Sequence, residues 1–418
     1  MQVPPFSLSK QLADLGPDLE AAVLRVLRSG QFIGGNEIQS FEETFAASIG
    51  VPHAVGCNSG TDALILALRA LDIGEGDEVI TCSFSFFATA EAISAVGAKP
   101  IFVDVNANNY LIDLEQIEAA ITPATRAVLP VHLFGRPVDM EKLMAIATTH
   151  GLKVIEDCAQ ATGAAWNQRP VGCWGDVGCF SFFPTKNLGA AGDGGAVTTH
   201  DPDLCQRIRE LAVHGMPRRY LHTQLGYNSR LDAVQAAVLN VKLPHLSSWI
   251  EQRQAIATRY QEQLAALPGL ELPDPATASQ VEHGWNQYVV RVTSCPKNLS
   301  QSTDHSDSTN QSDASSANSN HGLPSSDCRD WLKQSLQDHG VNTIIYYPIP
   351  IHRQPAYEGL GYEPGSLPIT EQFSSQVLSL PIFPELSLEQ QDRVITVLKQ
   401  LLLNQPTTPH PQTQMVAQ

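Results

Sequence analysis

Lys186 lies in Ser181-Phe182-Phe183-Pro184-Thr185-Lys186-Asn187-Leu188-Gly189, with no Asp or Glu within a helical turn to make it a routine surface ion pair. Upstream, Glu156-Asp157-Cys158-Ala159-Gln160 follows the apolar pair Val154-Ile155; downstream comes Gly192-Asp193-Gly194-Gly195. An acid at a strand end, a serine and a lysine in an irregular loop, then paired glycines form the set an enzyme needs to hold an aldehyde cofactor on a lysine.

Pyridoxal phosphate makes four demands. A lysine amine forms the Schiff base, and an acid pairs with the pyridine nitrogen. Backbone and hydroxyl donors hold the phosphate, best at a helix start. A flat apolar side chain covers the ring. Lys186 and Asp157 are the candidates for the first two. Gly60, Thr61 and Ser181 suit the phosphate, Gln160 the ring hydroxyl and Phe86 the ring face. Taken singly, each has a plainer reading. Lys186 reads as a solvated loop lysine, Asp157 as a helix cap, Gln160 as an ordinary polar residue and Phe86 as core. His132 and His214 are candidate polar contacts in a cleft, against the plainer reading of satisfied structural histidines. The order of these features along the chain carries the argument.

Signals of other enzyme classes are missing. Gly192-Asp193-Gly194-Gly195 is not a dinucleotide fingerprint, and no P-loop, nucleophile-elbow serine or HExxH string occurs. The 418-residue chain has a formal net charge of −17, which argues against nucleic acid or an anionic membrane as its partner. No apolar run approaches a membrane span, and the first residues do not read as a signal peptide. The 8 cysteines are scattered, with no metal-ligand spacing. A disulfide framework is not expected, and a reducing cytoplasm is the simplest compartment.

The elements that must position these residues alternate. Helices are expected after Ser59, over 87–96, 114–120 and 140–150. Strands are expected over 78–81, 100–105, 127–131 and 153–155. That pattern defines an α/β fold with a mostly parallel central sheet, whose ligands collect at the carboxyl ends of strands. Long helices over 231–243 and 248–267, broken at Pro244, lead to a smaller C-terminal α+β domain. Its expected parts are strands over 288–292 and 341–347 and helices over 330–339 and 388–403. Residues 1–250 form the expected large domain and 251–403 the small one. A polar stretch, about 296–326, is too poor in apolar residues to fold and reads as a disordered insertion, a tolerated loop expansion or a regulatory segment. Residues 404–418 read as a disordered tail.

Gly60-Thr61-Asp62-Ala63-Leu64, Ser85-Phe86-Phe87-Ala88-Thr89-Ala90, Pro130-Val131-His132-Leu133-Phe134-Gly135 and Glu156-Asp157-Cys158-Ala159-Gln160-Ala161 occur in this order. Residues 181–189, His214-Gly215, Gly226-Tyr227-Asn228-Ser229-Arg230-Leu231-Asp232 and Tyr347-Pro348-Ile349-Pro350-Ile351-His352 follow. Together they resemble the DegT/StrS family of nucleotide-sugar aminotransferases, which have the PLP-dependent transferase fold type I. The resemblance runs from about Phe6 to about Leu402 and fails only in the polar insertion.

It implies that Lys186 holds pyridoxal 5'-phosphate, Asp157 its ring nitrogen and Gln160 its ring hydroxyl. Phe86 would stack on the ring, and Gly60, Thr61 and Ser181 would bind the phosphate. Asn228 would reach the phosphate of the partner subunit, in a homodimer with shared active sites. The implied reaction carries an amine from L-glutamate, leaving 2-oxoglutarate, to a nucleotide-linked keto-sugar. A histidine in place of the lysine marks a dehydratase branch, and Lys186 places this chain outside it. Phe32, Tyr347 and His352 join His132 and His214 as candidate substrate contacts. The alternatives are a non-catalytic binding or regulatory protein and a different fold-type-I enzyme, such as a lyase or decarboxylase. The sugar, the nucleotide and the choice of carbon 3 or 4 stay open.

Overall fold

Seven short, mostly buried strands build the central sheet: β1 (His53–Cys57), β2 (Glu78–Cys82), β3 (Lys99–Val103), β4 (Thr125–Leu129), β5 (Lys153–Asp157), β6 (Val177–Ser181) and β7 (Gly195–Thr199). The computed structural model describes residues 1–275, 279–295 and 325–403. The expected insertion lies outside these except for its last two residues, which open the helix Ser325–Asp338; the expected tail lies outside them entirely.

The strand order is β1-β7-β6-β5-β4-β2-β3. Neighbours from β6 through β3 pair in parallel, whereas β7 runs antiparallel to both β6 and β1. Most strand positions are buried, as expected where helices cover both faces of a sheet. After helices α1 (Ser9–Ser29) and α2 (Asn36–Ile49), the covering helix α3 (Gly60–Ala70) packs Leu64, Ala67 and Leu68 with Val79, Ile155 and Val177. At its start the Ser59 side chain accepts the Asp62 N–H at 3.1 Å, a cap typically contributing about 1 kcal/mol. The next, α4 (Ala88–Ala95), joins β2 to β3.

A second sheet is antiparallel, ordered Leu270–Glu271, Tyr288–Val292, Val377–Leu380. The helices Ser325–Asp338 and Leu388–Leu402 share its core through Leu332, Leu336, Val394 and Leu398. Residues 341–347 were expected as its strand, but they form only two isolated bridges, Val3↔Val341 and Ile344↔Ser379. Val377–Leu380 takes the place beside Tyr288–Val292, and the freed tyrosines reach the cavity described below. Two cysteines are also bonded: Cys295 and Cys328 lie 33 residues apart with Cα atoms at 5.2 Å. Their separation in the sequence gave no hint of the pairing. Among the described residues, no helix is long and apolar enough to cross a membrane.

Candidate active site

β5 ends at Asp157, β6 ends at Ser181 and α3 begins at Gly60, and the three ends line one cavity of about 540 Å³. Thr61, Phe86, Gln160, Lys186 and Tyr347 also line it. Residues separated by more than a hundred positions thus meet at the carboxyl edge of the sheet, where α/β folds collect ligands.

Along β5, successive side chains point to opposite faces. Asp157 therefore faces the cavity and Glu156 faces away. The Glu156 carboxylate is fully buried and accepts the N–H groups of Gly172, Trp174 and Gly175 at 2.8–2.9 Å. Asp157 Oδ1 accepts the Ala159 N–H at 3.1 Å, and Oδ2 accepts the Thr89 hydroxyl at 2.9 Å. Burial raises the Asp157 carboxyl above its ordinary value; Ala159, Thr89 and the nearby Lys186 charge work against that rise. Burial likewise pushes the Lys186 amine down to about 8, against the pull of Asp157. At that value roughly a tenth of the amine is neutral at pH 7, against less than about a thousandth for an ordinary lysine, and the neutral amine is the nucleophile.

The loop around Lys186 is pinned on both sides. Asn187 Nδ2 donates to the carbonyls of Gly284 at 2.8 Å and Thr162 at 3.2 Å, and Asn187 Oδ1 accepts from Asn286 at 3.0 Å. The buried Lys242 amine donates to the Gly189 carbonyl at 2.8 Å. Such second contacts hold a reactive group without using its own atoms.

Gln160 is oriented too. Its Oε1 accepts the Phe134 N–H at 2.7 Å, which turns the amide nitrogen toward the cavity, where it donates to Tyr347 Oη at 2.8 Å. Phe86 is 57% exposed, with its ring centroid 6.2 Å from that of Tyr347.

The α3 start fits a phosphate. Its first N–H groups have no intrahelical acceptor, and the helix dipole favours negative charge there. A Cβ on Gly60 would lie 2.7 Å from Ser181 Cβ, so only glycine lets the helix start and the serine approach this closely. Ser181 Oγ accepts the Phe183 N–H at 3.3 Å, which leaves its proton to donate. An amine, a carboxylate, an amide donor, an aromatic face and an anion cradle in one cavity match pyridoxal phosphate group by group.

Other expected site residues lie elsewhere. His132 is fully buried, its Nδ1 accepting the Val138 N–H at 3.0 Å and its Nε2 paired with Glu156 at 3.1 Å, so neither nitrogen is left for a ligand. His352 is spent similarly, on Ser83 at 2.7 Å and Glu371 at 3.2 Å. These contacts replace the direct substrate roles expected for both histidines. His214 is exposed with φ +65°, and Phe32 is 45% exposed; neither lines the cavity. Asn228 is exposed away from the cavity of its own chain, with its carbonyl accepting from Asn58 at 2.9 Å and its side chain from Arg230 at 2.6 Å. Sequence reasoning missed Thr89, Asn187 and Gln287. Thr89 follows Phe86 by three residues across the turn that opens α4, its N–H donating to the Phe86 carbonyl at 3.2 Å, so both reach the cavity; that spacing is the signal that could have found it.

The model of the DegT/DnrJ/EryC1/StrS aminotransferase family matches residues 14–306 and 296–399. A UDP-N-acetyl-3-dehydro-alpha-D-glucosamine 3-aminotransferase of Acidithiobacillus ferrooxidans is 43% identical over 400 residues, 96% of this chain and 98% of the relative. A dTDP-3-amino-3,4,6-trideoxy-alpha-D-glucose transaminase of Streptomyces venezuelae is 43% identical over 399 residues, 96% of each chain. The crystal structure of S. venezuelae DesV, in complex with a ketimine intermediate, superposes with a TM-score of 0.85 at 43% identity, covering 96% of this chain and 98% of that one. Fold and site define a pyridoxal-phosphate-dependent aminotransferase of fold type I. Within that class, the chain belongs to the DegT/DnrJ/EryC1/StrS aminotransferase family.

Proposed function

We propose that this cavity moves an amino group from L-glutamate to carbon 3 of a keto-sugar carried on a nucleoside diphosphate. Lys186 and Asp157, which act on each other inside one cavity, carry the reading. The choice of carbon 3 is supported by the names of both relatives, which share it while differing in nucleotide.

Pyridoxal phosphate, when bound, supplies an aldehyde that takes up an amine and a ring that draws electron density from the reacting carbon. Lys186 holds the aldehyde end. With the cofactor bound, a free Lys186 Nζ would take the proton from the amino acid α-carbon. In the second half-reaction Nζ delivers a proton to the sugar carbon that receives the amine. Asp157 keeps the proton on the ring nitrogen. Gln160 donates to the ring hydroxyl, and Phe86 covers one face of the ring. Gly60, Thr61 and Ser181 hold the phosphate, with Asn228 of the partner subunit completing that cradle in a homodimer. Tyr347, on the cavity wall, contacts the substrate. A large domain to about residue 250, a smaller one to 403 and a cytoplasmic location complete the reading.

The purified protein should be yellow. Lys186→Ala should lose the long-wavelength band of the lysine-bound cofactor and reduce transamination by on the order of a thousandfold or more. Incubation with L-glutamate should release 2-oxoglutarate without carbon dioxide. A colourless protein that cannot be loaded with the cofactor would falsify the proposal, and carbon dioxide release would transfer it to a decarboxylase.

A further inference from the structure

The carboxylate of Asp157 is held by a chain of hydroxyls from one short segment. Thr89, 1% exposed on the first turn of α4, donates its proton to Asp157 Oδ2 at 2.9 Å. Its oxygen lies 2.8 Å from the hydroxyl of Ser85, which is also buried. Thr89 has only one proton, and the carboxylate takes it, so Ser85 must donate to Thr89. The direction is therefore fixed: Ser85 to Thr89 to Asp157. Asp157 Oδ1 is met separately by the Ala159 N–H at 3.1 Å. Each carboxylate oxygen accepts one donor from the protein and keeps lone-pair capacity for another.

We propose that Thr89, aligned by Ser85, is a positioning residue for the reaction, fixing the plane of the Asp157 carboxylate so that an oxygen is presented to the cofactor ring nitrogen. The inference rests on the role proposed above for Asp157. Three features carry it. Thr89 lines the same cavity as Asp157 and Lys186. Its hydroxyl contacts Asp157, which faces the cavity, whereas neighbouring Glu156 is held by backbone N–H groups and His132. The chain also works against the burial that favours a protonated carboxyl. The Thr89 proton favours the ionised carboxylate, the form that accepts a charge-assisted bond from a protonated ring nitrogen.

Ser85 and Thr89 flank Phe86, the serine in the loop before α4 and the threonine in its first turn. One segment thus supplies the ring cover and the support for the acid beneath it. A shift of that turn moves both together.

The test uses Thr89→Val, which keeps the shape and removes the hydroxyl, with Thr89→Ser as the conservative rescue and Ser85→Ala as a milder break in the chain. Three quantities are measured on the full-length protein. They are the cofactor dissociation constant of the apoprotein, the spectrum of the loaded protein from pH 5 to 9, and kcat and KM for L-glutamate. Thr89→Val should weaken cofactor binding and lower kcat by roughly tenfold each, about the effect of one charge-assisted hydrogen bond, with KM for L-glutamate little changed. Its spectral transition at the acid end should move to higher pH. Thr89→Ser should restore all three, and Ser85→Ala should fall between. Wild-type affinity, spectrum and kcat in Thr89→Val would overturn the inference. If Thr89→Val fails to fold, Ser85→Ala decides alone, and unchanged affinity and spectrum there count against the chain. Asp157→Asn separates the two levels. If that change also leaves affinity and spectrum untouched, the role of Asp157 is wrong. If Asp157→Asn is severe and Thr89→Val silent, only the positioning role is.

Discussion

Burial pushes the amine of Lys186 and the carboxyl of Asp157 toward their neutral forms, and each holds the other back. The balance leaves the amine titrating at about 8. Below that value the amine is protonated and cannot attack an aldehyde. Capture of pyridoxal phosphate by the apoprotein should therefore accelerate as pH rises through about 8 and level off above it. Stopped-flow absorbance between pH 6.5 and 9.5 checks this, and a rate still climbing in proportion to hydroxide beyond pH 9 would show an ordinary lysine. Lys186, Asp157 and Ser181 were legible in the sequence because each place is set locally, by a strand end or an adjacent loop. His132 and His352 were not, because their fate is decided by Glu156 and Glu371, 24 and 19 residues away. Thr89 stayed hidden for the same reason: its partner, Asp157, is 68 positions distant.

Among the elements, the start of α3 against the end of β6 is the contact that shapes the anion cradle. Gly60→Ala would drive a methyl group to 2.7 Å from Ser181 Cβ. Relieving such a clash typically costs about 1–3 kcal/mol. The melting temperature of the apoprotein should fall, and the cofactor should dissociate faster because the serine hydroxyl is displaced from its aim. Unchanged dissociation would mean the phosphate sits elsewhere. The alternation from β2 to β5 with its helices could be read directly, since each strand is a short apolar run closed by a turn. β6 and β7 were harder: Val-Gly-Cys-Phe-Ser and Gly-Ala-Val-Thr-Thr carry glycine, which depresses strand propensity. Residues 341–347 have the composition of a strand, but Val377–Leu380 occupies the pairing edge beside Tyr288–Val292. Local composition cannot say which of two candidate strands wins one edge.

At the scale of the molecule, the two larger-scale pairings, the central sheet and the C-terminal one, could be anticipated only as a class, because pairing between distant segments such as His53–Cys57 and Gly195–Thr199 leaves no local trace. The Cys295–Cys328 bond is the plainest example. Mass spectrometry of the unreduced, alkylated protein should recover a peptide pair joined through these two residues. Two alkylated thiols in its place would show that the pair is reduced in the isolated protein. The same bond has an engineering consequence. It ties Cys295, just after the strand Tyr288–Val292, to Cys328, in the first turn of Ser325–Asp338, with their Cα atoms 5.2 Å apart. Whatever is spliced between them has one doorway, stapled shut. A guest domain whose own ends lie side by side, such as a fluorescent reporter, can be inserted between them without stretching its host. The cofactor cavity is built from residues 59–194, 287 and 345–347, all outside that doorway.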